Sequence, residues 1–191
     1  MGVIFVTGPA RSGKSGYAVR LALESCLDVT YVATAANEPE DAEWNARLSR
    51  HLRERPGEWR TVETAGMTHE AQRELFTGAQ QSQCLLVDAL GTYLWARIRS
   101  RIELLEVNYA VMESSLVRES SELVDAMLAS PAHVIAVSEQ IGWDVPPADH
   151  PKRLYRDLLG HMTQRLAKSA DRAYLVVAGY AIDLRSAGEP A

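Results

Sequence analysis

A three-layer α/β domain with a mainly parallel β-sheet is the fold class this sequence predicts, and three observations carry it. Short apolar runs rich in β-branched residues alternate with longer stretches of helical periodicity along nearly the whole chain. No Pro-, Gly- or Ser-rich tract, repeat or charge block divides the sequence. Its 191 residues suit a single domain, expected over 1–185, with 186–191 as a loose tail.

The elements follow in order. Val3–Val6 is a short buried-strand signal that ends at Thr7-Gly8-Pro9, and Tyr17, Ala18, Leu21 and Ala22 recur at helical spacing over Lys14–Cys26. Val29–Thr34 reads as a second strand. Glu38–Arg55 is polar and helical, with Trp44, Leu48, His51 and Leu52 on one side and Pro56-Gly57 as its stop. Trp59–Glu63 alternates as a strand does, Thr68–Thr77 is helical, and Cys84–Val87 is another buried run. Leu90–Ile98 and Tyr109–Leu128 read as helices, His133–Val137 as a strand, Arg153–Lys168 as a helix and Tyr174–Val177 as the last strand.

Composition narrows the function classes. With 20 basic and 25 acidic residues the formal net charge is −5, so no global field draws in nucleic acid or an anionic membrane. The longest mostly apolar stretch, Ala173–Ile182, is far short of the roughly 20 residues a spanning helix needs. No basic flank precedes Val3–Val6, Val6 stands where a myristoylation motif needs Ser or Thr, and Cys26 and Cys84 form neither a disulfide framework nor a zinc set. A cytoplasmic location is the expectation.

Gly8-Pro9-Ala10-Arg11-Ser12-Gly13-Lys14-Ser15 fits G-x-x-x-x-G-K-[ST] at every fixed position, between an apolar strand and a helix. Glycines let the backbone turn its N–H groups into one cavity, and the positive end of the following helix faces the same anion. In such a P-loop Lys14 would neutralise β- and γ-phosphate charge, and the Ser15 hydroxyl would join a Mg²⁺ shell. Asp88, at the end of Cys84–Val87, suits the second metal acid, although a strand-end Asp is also a common helix N-cap. A signalling GTPase is excluded because no Asn-Lys-x-Asp occurs.

Arg47, Arg50, Arg53 and Arg55 surround His51 on one helix and its C-terminal end. Taken singly these are a solvated basic face and a surface histidine. Taken together they allow another reading, in which a neutral imidazole attacks phosphorus and the arginines hold the phosphates.

Read in series, GPARSGKS, Tyr31-Val32-Ala33-Thr34-Ala35, Arg47-Leu48-x-x-His51-x-x-x-Arg55-Pro56-x-x-Trp59, Leu85-Leu86-Val87-Asp88, Arg156-Asp157-Leu158-Leu159-Gly160-x-x-x-Gln164-Arg165-Leu166-Ala167 and Leu175-Val176-Val177-Ala178-Gly179 resemble one family, from Val3 to about Arg185. It is the bifunctional adenosylcobinamide kinase/adenosylcobinamide-phosphate guanylyltransferase family of cobalamin biosynthesis. The resemblance implies a P-loop NTPase-like fold and two reactions. ATP or GTP phosphorylates adenosylcobinamide, and GTP then donates GMP to that phosphate through a guanylylated histidine. His51 alone occupies the family's histidine position, and Lys14 and Asp88 would serve with it. The resemblance also implies nucleotide contacts from the P-loop, from Ala33, Thr34 and Ala35, from Leu52, Arg53, Glu54 and Arg55, and from Glu63, as well as a homotrimer. This chain departs from the family pattern at three places. Ser138-Glu139-Gln140-Ile141-Gly142 replaces Ser/Thr-Asn-Glu-Val-Gly, Ala96-Arg97 stands near a frequent Asn, and Trp143-Asp144 replaces smaller residues. No catalytic role is transferred onto residues 138–142. Two other readings stay open from the residues alone: a monofunctional small-molecule kinase and a non-catalytic nucleotide-binding subunit.

Overall fold

The computed structural model describes residues 2–35, 40–53 and 55–189, leaving out the side chains of Arg47, His51 and Glu106. Among these residues one sheet holds seven strands: β1 (Val3–Gly8), β2 (Asp28–Ala33), β3 (Arg60–Glu63), β4 (Gln83–Asp88), β5 (His133–Glu139), β6 (Arg172–Val177) and β7 (Tyr180–Asp183). Their order is β3-β2-β4-β5-β1-β6-β7. β1 to β6 run parallel and β7 pairs antiparallel with β6. The mainly parallel α/β fold expected from the sequence is the one observed.

Strand periodicity explains the layers. Successive side chains point to opposite faces, so both faces of a sheet covered by helices are apolar. Val3 and Phe5 of β1, with Val134 and Ala136 of β5, enter one core. Ile4 and Val6, with Ile135 and Val137, enter the other. The second core is closed by α1 (Lys14–Glu24) through Ala18, Leu21 and Ala22. The first is closed by α3 (His69–Thr77), α4 (Leu90–Arg99), α6 (Tyr109–Leu128) and α7 (His150–Ser169), with Leu94, Ile98, Met127, Leu159 and Leu166 fully buried.

The structure corrects several boundaries. α2 spans Ala42–Arg53, and the Asp41 carboxylate accepts from the Trp44 N–H at 2.8 Å; the expected start at Glu38 lies outside the described residues. α7 begins at His150 rather than Arg153, because Asp149 accepts from the Lys152 N–H and Pro151 sits in the first turn, where its missing N–H costs nothing. α5 (Ile102–Val107) and β7 were not foreseen. Ala173–Ile182, read as one apolar run, is a hairpin whose turn residues Ala178 and Gly179 have φ of 49° and 82°. Two left-handed residues give the twist that fits antiparallel strands, and Ala178 there lacks the usual Asn or Gly signal. A short helix, α8 (Leu184–Ala187), capped by Asp183, runs two residues into the tail expected to be loose.

One buried charge cluster pins α4 and the α4–α5 junction to α6. Glu119 accepts from Arg97 at 2.6 Å and from Arg101 at 2.7 Å, with side chains 11%, 18% and 20% exposed respectively. Burial alone would raise the Glu119 carboxyl, but hydrogen bonds and charge from the two arginines outweigh it and leave the group below its ordinary value. Its contribution to stability is therefore present at neutral pH and lost as pH falls through the folded-state value. Glu119→Ala should destabilise the fold by about 3–5 kcal/mol, because two half-buried guanidinium groups lose their partner. Urea unfolding at neutral pH measures this, and a loss below about 1 kcal/mol would make the cluster an ordinary surface pair.

Candidate active site

The P-loop is built by steric necessity. A Cβ on Gly8 would lie 2.3 Å from the Val176 carbonyl oxygen and 2.7 Å from the Ser12 hydroxyl, so only glycine fits where β1 ends. Gly13 has φ 96°, the left-handed region that glycine enters without strain, and Arg11 shares that region at φ 58°. The Lys14 N–H donates to the Ser12 hydroxyl at 3.3 Å, and the Gly179 N–H donates to the Ser12 carbonyl at 2.9 Å. The β6–β7 turn thus braces the loop from behind. Gly13 gives α1 no side-chain cap, and the first turn carries no acidic residue. The positive end of the helix is left for an anion. Lys14 is buried, with its Nζ donating to the Pro9 carbonyl at 3.4 Å, while Ala10 and Arg11 are exposed.

Asp88 lies across β5 from this loop and makes two hydrogen bonds. Its Oδ1 accepts from the Ser15 hydroxyl at 3.3 Å and its Oδ2 from the Tyr31 hydroxyl at 2.5 Å. The helix-cap alternative does not hold, since the N-cap of α4 is Ala89 and the Asp88 carboxylate faces the P-loop helix instead. Among the described residues no group of three or more His, Cys, Asp or Glu forms a metal cage. Ser15 and Asp88 are a hard oxygen pair of the kind that suits Mg²⁺ carried in with substrate phosphates.

The end of β2 has a structural task. Buried Thr34 donates to the Ala89 carbonyl at 2.6 Å, accepts from the Ala89 N–H at 2.8 Å and lies 2.5 Å from the Thr92 hydroxyl. It locks the turn that carries Asp88, and its hydroxyl is fully engaged there. The Ala33 carbonyl accepts from the Thr64 N–H at 2.9 Å. Ala33 pairs with Glu63, whose exposed side chain stands at the same sheet edge beside half-buried Ala35.

Leu52 and Arg53 are exposed at the C-terminal end of α2, while Glu54 and the His51 side chain lie outside the described residues. His51 itself is placed by its backbone in the last turn of α2. Arg55 turns inward, with its guanidinium 3.5 Å from the centroid of the Tyr31 ring. That stack joins the arginine-rich segment to the Asp88 side of the site.

Two residues of this edge carry no role in the sequence reading: Tyr31, quoted only within the Tyr31–Ala35 motif, and Glu139, within the 138–142 departure. Glu139 ends β5 between Gly8 and the Asp88 strand, with its carboxylate beside Gly91 at the start of α4. A Cβ on Gly91 would meet Glu139 Oε2 at 2.1 Å and the Tyr155 hydroxyl at 2.6 Å, and Oε2 has no hydrogen-bond partner. Burial raises the Glu139 carboxyl above its ordinary value; Lys14 opposes this and Asp88 adds to it. Neighbouring Gln140 accepts from the Thr7 hydroxyl at 3.4 Å, and its N–H donates to the Gly8 carbonyl at 3.0 Å.

With the folded-state value above the unfolded one, stability linked to protonated Glu139 is present in acid and lost as pH rises through the folded value. Glu139→Gln should therefore melt above the wild type at about pH 8 and lose that advantage near pH 4 to 5. Melting curves across this range measure it, and a difference that does not vary with pH would contradict the buried-acid account.

With this geometry in view, comparison with known proteins is informative. The family model described as cobinamide kinase / cobinamide phosphate guanyltransferase matches residues 4–184. The chain is 35% identical over 187 residues to the bifunctional adenosylcobalamin biosynthesis protein CobP of Pseudomonas aeruginosa, covering 97% of both chains. It is 31% identical over 186 residues to the bifunctional adenosylcobalamin biosynthesis protein CobU of Salmonella typhimurium, covering 96% of this chain and 99% of the relative. The Escherichia coli protein of that name is 32% identical over 183 residues, with the same coverage. A match along nearly the whole length, joined to a P-loop and a strand-end acid at one sheet edge, means that this chain belongs to the cobinamide kinase/cobinamide phosphate guanyltransferase family.

Proposed function

We propose that this chain carries both family reactions: phosphorylation of adenosylcobinamide by ATP or GTP, then transfer of GMP from GTP to the new phosphate. The observation that carries this reading is the meeting of two segments. The Ser15–Asp88 pair of the P-loop side and the Arg55 end of the His51 helix converge on one residue, Tyr31.

In the first reaction the substrate hydroxyl oxygen bonds to the γ-phosphorus, the bond from phosphorus to the bridging oxygen breaks, and nucleoside diphosphate and a proton leave. The P-loop N–H groups and Lys14 hold the phosphates, and charge rather than covalent chemistry lowers the barrier. Ser15 and Asp88 would hold Mg²⁺, which supplies charge neutralisation at the phosphate oxygens. In the second reaction neutral His51 attacks the α-phosphorus of GTP and releases pyrophosphate. The phosphate oxygen of adenosylcobinamide phosphate then displaces the imidazole and takes the GMP. Arginines of the same segment would orient the phosphate. Ala33, Ala35, Leu52, Arg53, Glu54, Arg55 and Glu63 would complete the nucleotide contacts, with Thr34 acting through the turn it locks. Homotrimeric assembly and a cytoplasmic location complete the proposal; among the described residues no helix is long and apolar enough to cross a membrane.

Incubation with radiolabelled GTP, followed by denaturation, tests the covalent step. The wild type should retain label in an acid-labile, alkali-stable bond located at His51 by mass spectrometry. His51→Ala should lose both label and guanylyl transfer while keeping corrinoid phosphorylation. Label at His69, His133, His150 or His161, or transfer without any adduct, would overturn the assignment.

Lys14→Ala should cut both turnovers by about 10²–10³-fold, the scale of losing one preorganised charge partner. Its melting temperature should stay close to wild type, since the ammonium makes only one long bond, to Pro9. Unchanged GTP affinity and turnover in the folded variant would refute the role.

A further inference from the structure

Tyr31 touches two groups of the proposed site at once, Asp88 and Arg55, and the residue is 3% exposed. Its hydroxyl donates to Asp88 Oδ2 at 2.5 Å, while Ser15 donates to Oδ1 at 3.3 Å. On its face lies the Arg55 guanidinium, 3.5 Å from the ring centroid, with Arg55 Nε buried and without a hydrogen-bond partner. No Arg55–Asp88 ion pair is formed, although the two residues flank the same ring.

From this arrangement we propose that Tyr31 is a positioning residue with two separable tasks: its hydroxyl orients Asp88 toward the metal, and its ring holds Arg55 apart from Asp88 for the nucleotide phosphates. The inference rests on the reading of Asp88 as a metal acid and of Arg55 as a nucleotide contact.

The first task follows from carboxylate geometry. A strand-end Asp rotates broadly about its last torsion, and a short charge-assisted bond to one oxygen fixes that rotation. With Oδ2 held by Tyr31, Oδ1 is the oxygen presented beside Ser15. The second task follows from charge. Tyr31 seats the Arg55 guanidinium on its ring face and Asp88 at its hydroxyl, two separate places, and an arginine paired with that aspartate would be lost to phosphate. A ring face attracts the guanidinium without neutralising it, so the positive charge stays available.

The test is equilibrium binding of a fluorescent GTP analogue, titrated with and without Mg²⁺, on wild type, Tyr31→Phe, Tyr31→Leu, Arg55→Ala and Asp88→Asn. Tyr31→Phe keeps the ring and the buried volume. It should bind the analogue without Mg²⁺ within about twofold of wild type while losing roughly tenfold of the Mg²⁺-dependent gain, the scale of a hydrogen bond to a charged group. Tyr31→Leu should lose that gain and also weaken Mg²⁺-free binding, as Arg55→Ala does. If Asp88→Asn loses the Mg²⁺ gain and Tyr31→Phe keeps it, the orienting task is overturned and the metal reading of Asp88 stands. If Asp88→Asn keeps the gain, the metal reading fails first. Tyr31→Leu matching Tyr31→Phe in Mg²⁺-free binding overturns the ring's task. Should Tyr31→Leu fold poorly, Arg55→Ala decides that half, because Mg²⁺-free affinity equal to wild type would leave Arg55 no phosphate to serve.

Discussion

A parallel sheet buried on both faces must return each connection across a face, so every parallel strand delivers its C-terminal end to the same edge. The candidate site is a consequence of that constraint. β1 delivers Gly8 and the P-loop, β4 delivers Asp88, β5 delivers Glu139, and β2 and β3 deliver Ala33 and Glu63. β5 separates the P-loop strand from the Asp88 strand, yet Ser15 reaches Asp88. It does so because α1 lies over the face shared by these strands, burying Ala18, Leu21 and Ala22 in the core that contains Ile135, Val137 and Leu86. The same apolar packing that stabilises the sheet aims the first turn of α1 at the acid.

Polar groups at this edge pair with one another. Thr34, Ala89 and Thr92 close one knot, Tyr31, Asp88 and Ser15 a second, and Thr7 with Gln140 a third. Buried polar atoms left alone cost free energy comparable to a lost hydrogen bond, so these knots define one arrangement of the strand ends. Glu139 Oε2, against Gly91, and Arg55 Nε are buried at this edge without a partner. Glu139 is also the place where the chain departs from its family's Asn-Glu order.

Charge is distributed by role. The chain is acidic overall, but positive groups gather where phosphate is expected: Lys14 in the loop, the uncapped end of α1, and Arg55 on the ring of Tyr31. On the far side of the sheet the arginines serve structure instead, Arg97 and Arg101 being consumed by Glu119. The arginine near the family's frequent Asn position is thus tied into α6.

The sequence by itself determined the fold class, the order of the main elements, the P-loop and the family, because these rest on local signals: strand and helix periodicity, steric demands on glycine, and motifs short enough to read in line. It missed the β6–β7 hairpin, since Ala178 occupies a left-handed turn position without the usual residue type, and it missed α5, which is a single short helix lacking a strong stripe. Only the tertiary structure decided what Asp88 bonds to, that the Thr34 hydroxyl bonds within the turn after Asp88, and that Tyr31 and Glu139 stand beside the candidate site. Those facts depend on pairings 55 to 58 residues apart for Thr34 and Tyr31, and on which strand lies between which. A hydrogen bond leaves no mark on residue spacing when its partners meet only after a crossover, and strand order is set by the packing of whole layers rather than by any one segment.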